Sequence, residues 1–177
     1  MLASELTAAA LLQAGYDVKK SEVHGMAQRG GSVTAQLRYG ERVYSPLIDP
    51  GAAHIQMAFE MMEAVRYLPY LNADSTVIVN TQKILPPSVA TGQAAYPENV
   101  LDELIKRDIR VIGVDAFTIA RQAGEVRTAN VALVGALSVH LDVEADLFES
   151  IIEQRVPQRL LEENMKAFAG GRAAGGE

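Results

Sequence analysis

The sequence predicts an α/β protein: a three-layer α/β/α fold with a mixed, mostly parallel sheet and one β-hairpin. Strand-like and helix-like segments alternate along the chain, and this order places helices on both faces of a parallel sheet. Residues 109–114 form a nearly continuous apolar run, as expected of a strand covered on both faces. Residues 33–39 instead alternate apolar and polar side chains, which is typical of a hairpin arm with one buried face.

The first part of the chain predicts a helix followed by strands. Residues 2–14 carry a broad apolar stripe and end at Gly15, where a helix C-cap glycine belongs. Strands are predicted at residues 16–23 and 33–39. Residues 42–48 are predicted to return as the second arm of the hairpin, and Pro46 makes this arm an edge strand because it has no N–H to donate.

The middle of the chain predicts strands that lead into helices or loops. Residues 54–59 and 76–79 are strand-like, and residues 60–71 between them are helical. A long loop with extended backbone at Pro86-Pro87 follows. It leads to an amphipathic helix at 98–106 and the strand at 109–114.

The last part of the chain predicts helices. Residues 129–141 are apolar for too long to be one strand, so they indicate a buried helix in which Gly135 lets a neighbour pack closely. Asp142 is predicted to cap the next helix, and Pro157 opens the last one, to about residue 168. Residues 1–168 are therefore predicted to be a single domain, and the tail 169–177 (AGGRAAGGE) is predicted to be disordered.

Composition excludes several classes of protein. The net charge of −6 argues against binding to a nucleic-acid backbone, which depends on Lys and Arg. The chain has no cysteine, so it holds no disulfide, no thiol nucleophile and no Cys-ligated iron–sulfur cluster, and a cytoplasmic setting is expected. The scattered histidines have no metal-ligand spacing, which predicts no metal site.

The glycine-rich stretch SEVHGMAQRGGS (residues 21–32) is the main candidate for a contact loop. Gly30 and Gly31 free the backbone to point N–H groups into one concavity, and Arg29 offers a planar fork for an anion. His24, Gln28 and Ser32 add polar groups. The simpler interpretation is a wide turn between two strands.

The segment SEVHGMAQRGGSVTAQLRYG, followed by VYSPLI, resembles the hallmark segment of gamma-type subunits or domains of 2-oxoacid:ferredoxin oxidoreductases. Within that group it is most similar to the beta subunit of indolepyruvate ferredoxin oxidoreductase. The pieces FEMMEAVRYLPYL, VIVNTQKILP and NVALVGAL fall in the family's order, so the resemblance covers about residues 2–165. Family members open with a strand and a G-x-G-G-Q-G turn, and both are expected to be absent from this chain.

The resemblance implies a role as one subunit of a complex. The family reaction is oxidative decarboxylation of a 2-oxoacid with coenzyme A and ferredoxin, giving an acyl-CoA, carbon dioxide and reduced ferredoxin. Thiamine diphosphate, Mg and the iron–sulfur clusters are expected in a large alpha subunit. The loop residues His24, Gln28, Arg29, Gly30, Gly31 and Ser32 are expected to meet that partner near the diphosphate or coenzyme A. No catalytic residue is expected in this chain, which is expected to be inactive alone.

Two further interpretations stay open: a free-standing nucleotide- or coenzyme-A-binding module, and a structural dimerisation subunit. Asn80 follows a predicted strand, so it is either a strand-end ligand site or a turn-forming residue. Glu60, Glu63 and Arg66 indicate a surface ion-pair row, with an interface role as the alternative. His54 is expected to be structural, and His140 is expected to cap carbonyls at a helix end.

Overall fold

The fold contains a three-stranded parallel sheet, a separate two-stranded hairpin, and helices packed against both. The computed structural model describes residues 2–25, 33–85 and 87–176. The strands are β1 (Asp17–His24), β2 (Val33–Gly40), β3 (Ile55–Ala58), β4 (Thr76–Asn80) and β5 (Arg110–Val114). The helices are α1 (Leu2–Gln13), α2 (Met61–Arg66), α3 (Pro87–Ala90), α4 (Asp102–Ile105), α5 (Ala116–Ala123), α6 (Ala129–Ser138), α7 (Ala145–Arg155) and α8 (Leu161–Gly175). Single 3-10 turns occupy Leu68–Tyr70, Val126–Thr128 and Gln158–Leu160.

The parallel sheet has the strand order β3-β4-β5, with β4 in the centre. Ile55 is paired with Thr76, and Thr76 with Arg110, so the first residues of the three strands are aligned in register. Val77, Ile78 and Val79 of β4 are fully buried. The central strand is apolar at each of these positions because helices and loops cover both of its faces, and the predicted α/β class is confirmed.

The hairpin forms its own sheet. β1 pairs with β2 antiparallel, from Asp17 opposite Gly40 to His24 opposite Val33. Because β1 is the partner of β2, the prediction that residues 42–48 form the second arm is wrong. Residues 42–48 form no strand: the N–H groups of Val43 and Ile48 donate to side chains of the hairpin, and that of Leu47 donates to Oγ of Ser45.

Several helices in the middle of the chain differ from the predicted ones. The predicted helix 60–71 ends as α2 at Arg66 and resumes only as a 3-10 turn at Leu68–Tyr70. The predicted helix 98–106 is shortened to α4, because Asn99 has a left-handed φ of 56° that a helix does not accept.

Helix α5 was not predicted. The side chain of Asp115 caps it by accepting a hydrogen bond from the N–H of Thr118 at 2.9 Å, and Gly124, with a φ of 107°, ends it. Both signals are present in the sequence, since a capping Asp stands directly after the β5 segment and a glycine stands nine residues later.

Helix α6 is buried, as its apolar sequence predicted, although it ends at Ser138 and not at residue 141. It packs one face against the parallel sheet, where Ala132 and Leu133 join Ile78 of β4 in one core cluster. Its other face meets α1 and α7, where Val131 and Val134 join Phe148 in a second cluster. The residue before α7 is Glu144, whose side chain makes no capping bond, so the prediction that Asp142 caps this helix is wrong.

Helix α8 occupies most of the segment predicted to be a disordered tail. It continues through Gly175, and Gly171 and Gly175 are buried against α6. A Cβ at Gly135 would lie 2.2 Å from the carbonyl oxygen of Phe168, and one at Gly171 would lie 1.8 Å from that of Ala132. Gly135 therefore does admit a close neighbour, as predicted. The prediction of disorder from residue 169 is wrong, because the small residues serve a helix–helix contact.

No helix in the part of the chain that the structure describes combines the length and apolar character needed to cross a bilayer.

Replacing Gly171 by Ala tests the contact between α6 and α8. Alanine favours a helix by about 1 kcal/mol over glycine, but its Cβ would overlap the carbonyl of Ala132. We expect overpacking to dominate and to lower the free energy of unfolding by about 1–3 kcal/mol. Urea denaturation measures the difference. Gly176→Ala is the matched control, because its Cβ would meet its nearest atom at 3.6 Å, an ordinary contact. Equal stability of G171A and wild type would contradict the close packing.

Candidate functional site

The carboxyl edge of the parallel sheet is the candidate site. Strands β3, β4 and β5 are parallel, so their carboxyl ends lie at the same edge. Ligands of open α/β sheets bind outside this edge. Asn80 is the last residue of the central strand and is only 4% exposed.

The carboxamide of Asn80 joins the ends of the three strands. Its Nδ2 donates to the carbonyl oxygen of Phe59 at 3.2 Å, directly after β3. Its Oδ1 accepts from the N–H of Ala116 at 3.3 Å, just beyond β5, and from that of Gln82 at 3.4 Å. Through these bonds Asn80 fixes the carboxyl edge of the parallel sheet. A contact with a ligand stays a prediction.

Glu60 follows Phe59, whose carbonyl Asn80 contacts, and is a buried carboxylate. It is only 7% exposed, and its Oε2 accepts from the N–H of Met62 at 2.7 Å, which caps α2. The prediction that Glu60 belongs to a surface ion-pair row is therefore wrong, because its side chain turns inward. Glu63 and Arg66 do form the exposed ion pair, with 3.1 Å between Oε1 and Nε. Glutamate is not among the favoured capping residues, so the sequence carried no clear signal for Glu60.

Tyr96 supplies the second partner of Glu60. Its hydroxyl donates to Oε1 of Glu60, which satisfies the other oxygen of the buried carboxylate. Burial, followed by this hydrogen bond, raises the pKa of Tyr96 well above its ordinary range. The ammonium of Lys83 lies 5.2 Å from the centre of the Tyr96 ring. The phenol is thus held neutral as a donor, an arrangement suited to fixing Tyr96 against Glu60.

A cleft of about 400 Å³ opens between α2 and residues 97–106. Met62 and Val65 line it from α2, and Val100 lines it from the other side. Its charged lining residues are Glu98, Asp102, Glu103 and Lys106, of which the last two form an ion pair. No constellation typical of a nucleophile and its base occurs in this lining.

The predicted loop lies mostly outside the described residues. Gln28, Arg29, Gly30, Gly31 and Ser32 belong to residues 26–32, which the structure does not describe.

His24 ends β1, and half of its side chain is exposed, with Nε2 3.9 Å from Oε2 of Glu22. The hydroxyl of Ser4, followed by the ammonium of Lys20, lowers the pKa of Glu22. No described contact joins His24 to Asn80, so the hairpin end and the strand edge are two separate regions.

The other histidines have structural positions. His54 lies just before β3 and is exposed, so the predicted strand begins one residue later than expected. A ring nitrogen of His140 lies 3.0 Å from the carbonyl oxygen of Gly175 at the end of α8. His140 does meet a helix-terminal carbonyl as predicted, although the carbonyl belongs to α8. Among the described residues, no group of three or more His, Asp or Glu is arranged to hold a metal ion.

Comparison with known proteins gives consistent matches. Residues 1–174 match the family model described as pyruvate ferredoxin/flavodoxin oxidoreductase. The chain is 42% identical over 172 residues to the indolepyruvate oxidoreductase subunit IorB of Archaeoglobus fulgidus, covering 95% of this chain and 85% of that protein. It is 38% identical to the protein of the same name from Thermococcus kodakarensis, covering 97% and 87% of the two chains.

A solved structure shares the fold. The keto/oxoacid ferredoxin oxidoreductase gamma subunit of Geobacter sulfurreducens superposes with a TM-score of 0.70 at 18% identity. The match covers 98% of this chain and 89% of that one. At this identity the likeness is one of fold.

Replacing Tyr96 by Phe tests the buried pair with Glu60. The variant leaves one carboxylate oxygen without its donor, so we expect a loss of about 1–3 kcal/mol in the free energy of unfolding at neutral pH. Because the folded state raises the pKa of Tyr96, its stabilising effect is present below the ordinary tyrosine pKa of about 10 and is lost as the pH rises beyond it. The difference between wild type and Y96F should therefore shrink at alkaline pH.

Urea denaturation of both proteins at neutral pH and near pH 10.5, about half a pH unit above the ordinary pKa of tyrosine, measures this difference. Tyr44→Phe is the control, since Tyr44 is 83% exposed and makes no hydrogen bond to a carboxylate among the described residues. A Y96F protein as stable as wild type at neutral pH would rule out a stabilising pair.

Proposed function

The chain belongs to the pyruvate ferredoxin/flavodoxin oxidoreductase family, and from this we propose that it is one subunit of an indolepyruvate- or arylpyruvate:ferredoxin oxidoreductase. Membership confirms the family resemblance carried by the QRGG segment. The observation that supports the proposal is the 42% identity to an indolepyruvate oxidoreductase subunit across 95% of this chain.

The proposed reaction needs cofactors, among them iron–sulfur clusters, that this chain is poorly suited to bind. Oxidative decarboxylation of the 2-oxoacid releases carbon dioxide, passes an electron pair to ferredoxin and joins the acyl group to the sulfur of coenzyme A, whose thiol proton is lost. Iron–sulfur clusters are held by cysteine thiolates, and the sequence contains no cysteine. The lack of cysteine supports assigning the clusters to a large alpha subunit, and from the family resemblance we propose thiamine diphosphate and Mg there as well.

The complex is proposed to work in the cytoplasm, with coenzyme A as co-substrate and ferredoxin as electron acceptor. The contribution of this chain is one of binding and positioning. At the strand edge, Asn80 and Glu60 are engaged in internal hydrogen bonds, which supports a scaffold role there. Residues 24–32 are proposed to meet the alpha subunit near the diphosphate or coenzyme A.

Reconstitution tests the proposed function. The chain purified alone is expected not to reduce ferredoxin with indolepyruvate and coenzyme A, and co-expression with the large subunit from the same organism should yield a stable complex that does. Ferredoxin reduction followed by absorbance is the measurement, with pyruvate and 2-oxoglutarate as comparison substrates. Activity of the chain alone would overturn the proposal. Stabilisation of the isolated chain by coenzyme A, without any complex, would favour a free-standing binding module instead.

Replacing Arg29 by Ala in the assembled enzyme tests the contact loop. Losing a hydrogen bond to a charged group costs about 1.5–3 kcal/mol, which corresponds to a roughly 10- to 100-fold change. We expect a change of this size either in the affinity for the alpha subunit or in the KM for coenzyme A. Arg155→Ala is the control, since Arg155 is exposed at the end of α7. If R29A matches wild type in both measurements, the segment is an ordinary turn.

A further inference from the structure

Val23 and His24 of β1, with Val33 and Thr34 of β2, are the last residues of the antiparallel ladder, and we call them the hairpin end. The hairpin is a two-stranded sheet of its own, and such a sheet is marginally stable in water without further packing. Its orientation relative to the parallel sheet therefore depends on side-chain contacts. The contact proposed above with the large subunit begins at His24, so the residues that hold the hairpin end set how that contact is presented.

Tyr67 holds one face of the hairpin end. Its hydroxyl is hydrogen-bonded to Oγ1 of Thr34, and both side chains are partly buried. The two residues are 33 positions apart in the sequence, so the bond is a tertiary contact. It joins the hairpin to the segment that follows α2.

The segment that carries Tyr67 is anchored on the parallel sheet. Ala64 and Leu68, on either side of Tyr67, pack in one core cluster with Val77 of β4. The ring of Tyr67 also lies 6.3 Å, centre to centre, from the ring of Tyr70. The hydroxyl is therefore presented from a fixed position, and its bond ties the hairpin end to the sheet.

Ser4 of α1 holds the opposite face of the hairpin. Its hydroxyl donates to Oε1 of Glu22 at 2.5 Å. Glu22 comes directly before Val23, the ladder partner of Thr34, so its side chain points to the other side of the hairpin from that of Thr34. The hairpin is thus held near its end between α1 on one face and the segment of Tyr67 on the other.

We propose that Tyr67 is a positioning residue: its bond to Thr34 fixes the hairpin end in the orientation in which the hairpin meets the large alpha subunit. A surface that is already ordered loses less conformational entropy when a partner binds, so the bond strengthens binding indirectly. The inference rests on the proposed function, because that function supplies the partner.

Removing the bond from either side tests this role. Tyr67→Phe and Thr34→Val each delete one hydroxyl with little change of shape, whereas Thr34→Ser keeps the hydroxyl. The net contribution of one hydrogen bond corresponds to an equilibrium constant changed by about 2- to 10-fold. Y67F and T34V should each weaken binding of the large subunit by this factor, and T34S should bind nearly as wild type does. Titration of the large subunit with fluorescently labelled chain measures each Kd.

The double variant Y67F/T34V shows whether the two hydroxyls act as one pair. Its Kd should equal that of either single variant, because the same bond can be lost only once. Tyr70→Phe is the matched control, since the hydroxyl of Tyr70 makes no hydrogen bond among the described residues. This control is expected to bind as wild type does.

Hydrogen exchange separates positioning from a general loss of stability. In the free Y67F chain, the backbone amides of the hairpin end should exchange about 2- to 10-fold faster than in wild type. The amides of β4 should exchange at the wild-type rate, because the parallel sheet does not depend on this bond. Unchanged exchange at the hairpin end would contradict the inference, since the bond would then fix nothing.

The outcomes separate this inference from the proposed function. If the wild-type chain does not bind the large subunit, the proposed function fails and this inference fails with it. If wild type binds and both Y67F and T34V bind equally tightly, Tyr67 is not a positioning residue and the proposed function stands. If Y70F weakens binding as much as Y67F does, the effect does not come from the bond to Thr34, and the inference is wrong.

Discussion

The close contact between α6 and α8 is the constraint on which the rest of the structure depends. α6 packs one face on the parallel sheet and the other on α1 and α7, so its position sets the spacing of both layers. That position requires backbone to meet backbone at Gly135 and Gly171, where no side chain fits. Two polar contacts join α6 and α8 near their C-terminal ends. Arg172 donates to the hydroxyl of Ser138 at 2.8 Å, and His140 meets the carbonyl of Gly175.

The sheet that α6 supports ends in an edge whose polar groups are used within the chain. Asn80 joins the ends of three strands, and Glu60 is held by a backbone N–H and by the hydroxyl of Tyr96. An acid or base in catalysis needs a partner on the substrate. Groups committed to internal bonds instead hold the adjoining loops in place, so Asn80 and Glu60 fix this edge of the sheet.

Sequence patterns predicted the α/β class and the strands of the parallel sheet because apolar runs signal buried strands directly. They failed where a tertiary contact decides the outcome. The small residues after 168 have the composition of a disordered tail, yet small size is what the contact with α6 requires. Residues 42–48 have a strand-like composition, but the N–H groups of Val43 and Ile48 donate to the side chains of Asp17 and Gln36. The inward turn of Glu60 depends on Tyr96, 36 residues away, and no local pattern shows such a partner.

The length of the hairpin limits which kind of ligand or partner could contact both of its ends at once. Residues 42–48 are fixed near the start of β1 by Asp17, while the glycine-rich segment singled out in the sequence follows the end of β1 at His24. Seven residue steps separate these positions, which corresponds to about 24 Å along an extended strand. A diphosphate or a single carboxylate cannot reach both ends. A protein surface can, because a standard interface covers about 800 Å² on each partner. If both regions are contact surfaces of one partner, that partner is a folded domain docked along the length of the hairpin, and the rigid antiparallel ladder sets the distance between its two points of contact.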